Sequence, residues 1–188
     1  MAHRTSSILL TLLAVIPIRA AAAQAPLEPA DAALSVLPTS LYNDQANLRE
    51  ASDSSKSSLG TTVLRSQLNS VLAGQVRPFI ETDSLAAAPF AMDIAGGLPC
   101  GVKVACALAV ARAQGARWAV LSKVSKTSNL IWLLSAQLVR VVDGQIVLDD
   151  STELKGQPEV MIPIGMRIFA DRVARTIRAG GITTNFPS

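Results

Sequence analysis

Cys100 and Cys106 are the two cysteines of the chain, and the stretch Cys100-Gly101-Val102-Lys103-Val104-Ala105-Cys106 leaves five residues between them. Gly101 gives the turn its freedom, so a disulfide here would staple a loop to the start of the following helix. On a loop-entropy argument that bridge is worth roughly 2 to 3 kcal/mol. The other reading is a redox centre, since a thiol near a helix start can have a lowered pKa, although the C-x-x-C spacing of oxidoreductases is missing. Two thiolates without imidazole make a poor metal site. The single histidine, His3, sits at the extreme amino end. Beyond it no Ser-His-Asp or Cys-His set can be built, and the usual imidazole ligands are missing. None of Lys56, Lys103, Lys123, Lys126 and Lys155 has a serine three residues before it, which removes the S-x-x-K arrangement. There is no G-x-S-x-G, phosphate-binding loop or G-x-G-x-x-G. Asp149, Asp150 and Glu153 could hold a hard cation through carboxylates, but neighbours on a strand point to opposite faces and do not converge. We therefore expect no catalytic residue, no metal and no cofactor.

The chemistry left open depends on compartment. His3 and Arg4 open the chain, Ile8 to Ile18 is an apolar run broken by Thr11 and Pro17, and Ala21-Ala22-Ala23 precedes Gln24. These features predict an export signal over residues 1–23, cut after Ala23, and hence a periplasmic or secreted protein in which a disulfide persists. The run is shorter than the roughly 18 to 20 residues that span a bilayer, and no cysteine follows it to take a lipid, so a soluble mature protein is expected. Of the 188 residues, 165 would remain, enough for one domain. The composition, 49% hydrophobic, 4% aromatic and 16% charged, argues against disorder and disulfide-dense miniproteins. Losing Arg4 and Arg19 lowers the formal charge from +3 to +1, which gives nucleic acid no strong handle.

The elements that must position these residues can be outlined. Residues 24–32 read as a flexible leader, 33–180 as a single domain and 181–188 as a tail. Ala33 to Leu37 predicts a first strand stopped by Pro38, and the polar, serine-rich stretch Asn43 to Ser58 an exposed loop. Thr61 or Thr62 could cap a helix carrying Val63, Leu64, Leu68, Val71 and Leu72 and ending at Gly74. A second strand is placed around Val76 to Glu81. Cys106 to Gln114 is a helical run ended by Gly115. Three strands follow over Arg117–Val124, Asn129–Val142 and Gln145–Leu154, then a helix from Glu159 to Arg178 with Met166, Phe169, Val173 and Ile177 as its apolar stripe. Arg167, Asp171 and Arg175, four apart, read as a solvated face. The fold class is thus α/β (α+β), one mixed sheet of about five strands with three main helices and a carboxyl-terminal hairpin plus helix.

Asp143-Gly144 predicts a two-residue hairpin turn. That register sets Val141 opposite Ile146, Val139 opposite Leu148 and Leu133 opposite Leu154 as one buried face. The other face then carries Gln145, Asp149, Ser151 and Glu153 on one strand but Leu130, Trp132, Leu134, Ala136 and Leu138 on its neighbour, too apolar to face water. Either a helix covers that side or it is a partner surface. The candidate interaction surface is Ser122, Lys123, Ser125, Lys126, Asn129, Leu130, Trp132 and Leu134.

Pro99-Cys100, Cys106, the helix Ala107 to Gly115 and the continuous run Gly115 to Ile131, with the opening Ala33 to Pro38, resemble a family of uncharacterised secreted bacterial proteins, a domain of unknown function. More loosely, the order of elements is similar to the amino-terminal domain of the Tol-Pal propeller protein and to the domains of curli-secretion and penicillin-binding-protein activator lipoproteins. Those resemblances imply a non-enzymatic accessory module that binds another periplasmic or envelope protein, with a homo-oligomer allowed. The alternative from another class is a periplasmic small-molecule carrier or a redox-active protein using Cys100 and Cys106.

Overall fold

The computed structural model describes residues 33–42, 50–128 and 131–181. The expected export signal, the expected leader up to residue 32 and the residues beyond Gly181 lie outside them. Described in chain order, β1 is Leu34–Val36, β2 Ser40–Leu41, α1 Asp53–Val71, α2 Phe79–Ala86 and α3 Pro89–Ala95. A 3-10 turn at Cys100–Val102 leads into α4, Val104–Ala113, followed by β3 Trp118–Lys126, β4 Ile131–Arg140, β5 Ile146–Lys155 and α5 Pro158–Arg178. The expected mixed α/β fold is present, with α1, α4 and α5 as the main helices and α2 and α3 as two short ones.

The sheet runs β1-β3-β4-β5, with β2 also on β3; β1 and β2 are parallel to β3, and β3, β4 and β5 alternate. Helices α1 and α5 cover one face. Leu64 and Leu68 of α1 and Met166, Phe169, Val173 and Ile177 of α5 pack there against Val120, Trp132 and Leu138. The apolar stripe read along α5 is therefore its buried side. Asp171, placed on a solvated face, accepts from the Gln67 amide of α1 at 3.1 Å. Gly165 lets α5 lie close to the sheet: a Cβ there would stand 2.7 Å from Leu134 Cδ2. Helices α3 and α4 cover one end of the second face, over Leu37, Ala119, Leu121 and Val139. Arg65 of α1 ties three elements together. Its Nη2 donates to the Val36 carbonyl at 2.9 Å, its Nη1 to Asp83 Oδ2 at 2.9 Å, and its guanidinium lies 4.8 Å from the Phe79 ring centre.

Three expectations need correcting. From residue 53 on the serine-rich stretch is helix rather than loop, and its Asp53 is buried. The Asp53 carboxylate accepts from the Glu50 N–H at 2.8 Å, and the hydroxyls of Ser55 and Ser57 donate to the carbonyls of Ser52 and Ser54, so the polar side chains of the first turns find partners on the backbone beside them. Thr61 sits inside α1. The strand placed at Val76 to Glu81 is a single bridge from Val76 to Leu34, after which Pro78 leads directly into α2.

The hairpin register also differs. Gly144 alone of the two turn residues has a positive φ, +71°, so the expected turn does not form. Instead the Arg140 N–H donates to the Gln145 carbonyl at 2.8 Å across a four-residue loop, and the Asp143 carboxylate accepts from the Gln145 N–H at 3.1 Å and from the Arg140 guanidinium. A bulge at Leu138/Val139 adds a further offset, leaving Val139 opposite Ile146, Leu138 opposite Leu148 and Trp132 opposite Leu154. A net slip of one residue along the outer ladder exchanges the faces.

Candidate functional site

The slip decides which of the expected surface residues reach solvent. Trp132 and Leu134 do not: they are 2% and 4% exposed, under α1 and α5, so a helix covers the apolar side of β4 and it is no partner surface. Ser122 is buried too, its hydroxyl 2.8 Å from that of Thr39. Lys126 is 5% exposed, and its amine donates to Glu50 Oε1 at 2.8 Å, lies 3.6 Å from the buried Asp53 carboxylate and stands 6.0 Å from the Trp132 ring centre. The Glu50 hydrogen bond, helped by the charge of Asp53, raises the Lys126 pKa above its ordinary value. This amine locks the start of α1 to the sheet. Asn129 and Leu130 lie outside the described residues.

Lys123 and Ser125 do reach the surface, on the second face of the sheet beyond the cover of α4. There the ladder sets polar residues side by side. Lys123, Ser135 and Ser151 form one row, Gln137 and Asp149 pair beside Leu121 in the next, and Ser125, Leu133 and Glu153 form a third. The hydroxyls of Ser135 and Ser151 are 3.5 Å apart, Gln137 Nε2 donates to Asp149 Oδ2 at 3.1 Å, and Lys123 Nζ stands 5.1 Å from the Tyr42 ring centre. Lys123 and Asp149 lie two strands and two residues apart, about 12 Å, so the face presents a cation and an anion separately.

One wall of this face is the disulfide turn. Cys100 and Cys106 are bridged, with Cα atoms 5.3 Å apart and no free cysteine among the described residues. Cys106 is fully buried and Cys100 8% exposed, which hinders the thiolate attack a redox role needs. Gly101 fits because it has no side chain: a Cβ would stand 2.6 Å from the Pro38 carbonyl and 2.7 Å from Ser40 Oγ. The turn thus clamps the β1–β2 connection and, with Val102, closes a cleft of about 220 Å³ lined by Lys123, Ser135, Gln137, Asp149 and Ser151. The described contacts give each of the two serines another serine and no base. The carboxylates of β5 diverge as strand alternation requires: Asp149 faces the cleft, whereas Asp150 takes Arg172 Nη1 of α5 at 2.7 Å on the other face. Among the described residues no group of three metal-ligating side chains gathers.

Ser135, Gln137, Asp149 and Ser151 are absent from the surface expected from sequence. Their signal was available. Polar residues alternate on both strands, and a one-residue shift of the assumed register aligns Ser135 with Ser151 and Gln137 with Asp149, instead of setting Asp149, Ser151 and Glu153 against Leu138, Ala136 and Leu134.

These features define a mixed α/β module whose sheet is closed by helices on one face and partly open on the other. The chain belongs to the family DUF3280, described as a protein of unknown function (DUF2380), whose model matches residues 32–173. Among solved structures it is similar to the LpoB C-terminal domain from Salmonella enterica, at 19% identity over 66% of this chain and 83% of that one, with a TM-score of 0.43. A PelC dodecamer from Paraburkholderia phytofirmans matches at 16% identity over 79% and 89%, TM-score 0.42. TolB from Acinetobacter baumannii matches at 16% over 81% and 29%, TM-score 0.40. No curated protein matches the chain. Among the described residues no helix is long and apolar enough to cross a membrane.

Proposed function

We propose that the protein is a non-enzymatic accessory module of the bacterial envelope, which binds another protein through the open face of its sheet. One observation carries the reading: on a scaffold otherwise closed by helices, Lys123, Ser125, Ser135, Gln137, Asp149 and Ser151 stand in register on an uncovered face. A rigid sheet holds such groups at fixed spacing, which suits recognition. The export-like amino end and the bridged cysteines support an envelope location. The cleft, about 220 Å³, is smaller than the roughly 300–1,000 Å³ of small-molecule sites, which weighs against a carrier.

Two measurements test this on the full chain in its own cell. Fractionation with amino-terminal sequencing should find the protein in the periplasm beginning at Gln24; uncut protein in the cytoplasm would overturn the location. A photoreactive residue in place of Ser135 should capture one dominant envelope protein, and Lys123→Glu should abolish that capture while leaving the melting temperature unchanged. Capture that survives Lys123→Glu would remove the open face from the account.

A further inference from the structure

Strand β5 ends the sheet. Among the described residues it pairs with β4 alone, so over Asp149–Glu153 every second residue turns its N–H and C=O outward. Such an edge takes an additional strand unless something forbids it, and the side chains flanking this one are selective. On the open face Asp149 and Glu153 stand exposed four residues apart, with Ser151 between them. Asp149 accepts from a neutral amide, and Glu153 has, among the described residues, only the exposed Lys155 amine of its own strand, 3.6 Å away. On the helix face Asp150 is already neutralised by Arg172. Beside it a cleft of about 170 Å³ opens between α5 and the sheet, its lining including Asp150 and Thr152 of the edge strand with Gly165, Ile168 and Phe169 of the helix. Gly165 lines it without a side chain, and Ile168, 49% exposed, forms its apolar rim.

We infer that β5 is a strand-addition site for an extended segment of a partner protein that carries basic residues four apart on one face and apolar residues between them on the other. The bases pair with Asp149 and Glu153, a small residue passes Ser151, and an apolar side chain opposite Thr152 enters the cleft under α5. Alternating pockets beside a hydrogen-bonded edge are how strand addition obtains sequence preference. A second copy of this chain is disfavoured in the register that centres on Ser151. Antiparallel pairing of two β5 strands about Ser151 sets Asp149 opposite Glu153 twice, and directly opposed like charges destabilise a ladder. The inference rests on the reading of the protein as a binding module and adds what the partner's backbone does.

The test is fluorescence anisotropy of the full-length protein with a blocked nine-residue peptide centred on Lys-Val-Ser-Val-Lys, which presents the same pattern in either direction, against the same peptide with Glu in place of Lys. The Lys peptide should bind at least tenfold more tightly, and its affinity should fall as salt rises. Asp149→Lys combined with Glu153→Lys, both exposed and so compatible with folding, should invert the preference. Equal binding of the two peptides, a preference the double substitution leaves unchanged, or sedimentation showing a dimer that the peptide cannot displace would each overturn the inference. Crosslinking from Ser135 would still report on the module itself, so the two failures are separable.

Discussion

The bridged pair Cys100–Cys106 closes a small ring, so most of its stabilisation comes from restricting the unfolded chain. Replacing both cysteines by serine should cost about 2 kcal/mol and lower the melting temperature by roughly 4–8 °C, read by calorimetry with and without reductant. Arg65 is the more expensive side chain to lose. Truncation to Leu leaves the buried Val36 carbonyl without its charged donor and should destabilise by about 2–3 kcal/mol in urea unfolding. Lys126 predicts a pH dependence. Its pKa is raised in the folded protein, so its contribution is complete below the ordinary lysine value of 10.5 and is lost as pH rises through the folded value. Lys126→Gln should therefore flatten the alkaline limb of a stability–pH profile. The exposed Glu159 behaves in the opposite sense, since its hydrogen bond with Lys56 lowers its pKa and its contribution is lost as pH falls through that lowered value.

At the scale of elements, the hairpin is where sequence reasoning and structure part. The positions of the last three strands, the final helix and its buried stripe, and the stop at Gly115 were legible because hydrophobic period and glycine placement report them directly; Gly115 has a φ of +60°. Register was not, because Asp143-Gly144 fits a two-residue turn as well as the longer loop that forms. The loop is selected by contacts visible only after folding, those of Asp143 with Arg140 and Gln145. A cross-strand test is direct: in a background lacking the native cysteines, the pair Ser135→Cys and Ser151→Cys should bridge on mild oxidation, whereas Leu133→Cys with Leu154→Cys should not. The reverse result would restore the simpler two-residue turn and its register. The helical serines after residue 53 were equally hidden, since hydroxyl-to-carbonyl bonds satisfy what propensity alone counts against a helix. Gly165→Val probes the approach of α5 to β4; overpacking against Leu134 should destabilise by about 1–3 kcal/mol.

For the whole molecule, the division of labour follows from the two faces of one sheet. The face under α1 and α5 holds the large side chains and fixes the fold. The other face carries a smaller cluster beneath α4, anchored by the disulfide turn, and beyond it a polar surface where no group of three metal-ligating side chains gathers among the described residues. That asymmetry divides the candidate surface read from sequence: Lys123 and Ser125 belong to the open face, and Trp132 and Leu134 to the closed one. The most direct test of the account is in-cell photocrosslinking of the full-length protein from Ser151, compared with Val142 at the hairpin tip, which is 82% exposed but off the proposed surface. The account predicts one dominant envelope protein captured from Ser151 and not from Val142. Equal capture from both positions, or none from Ser151, would contradict it.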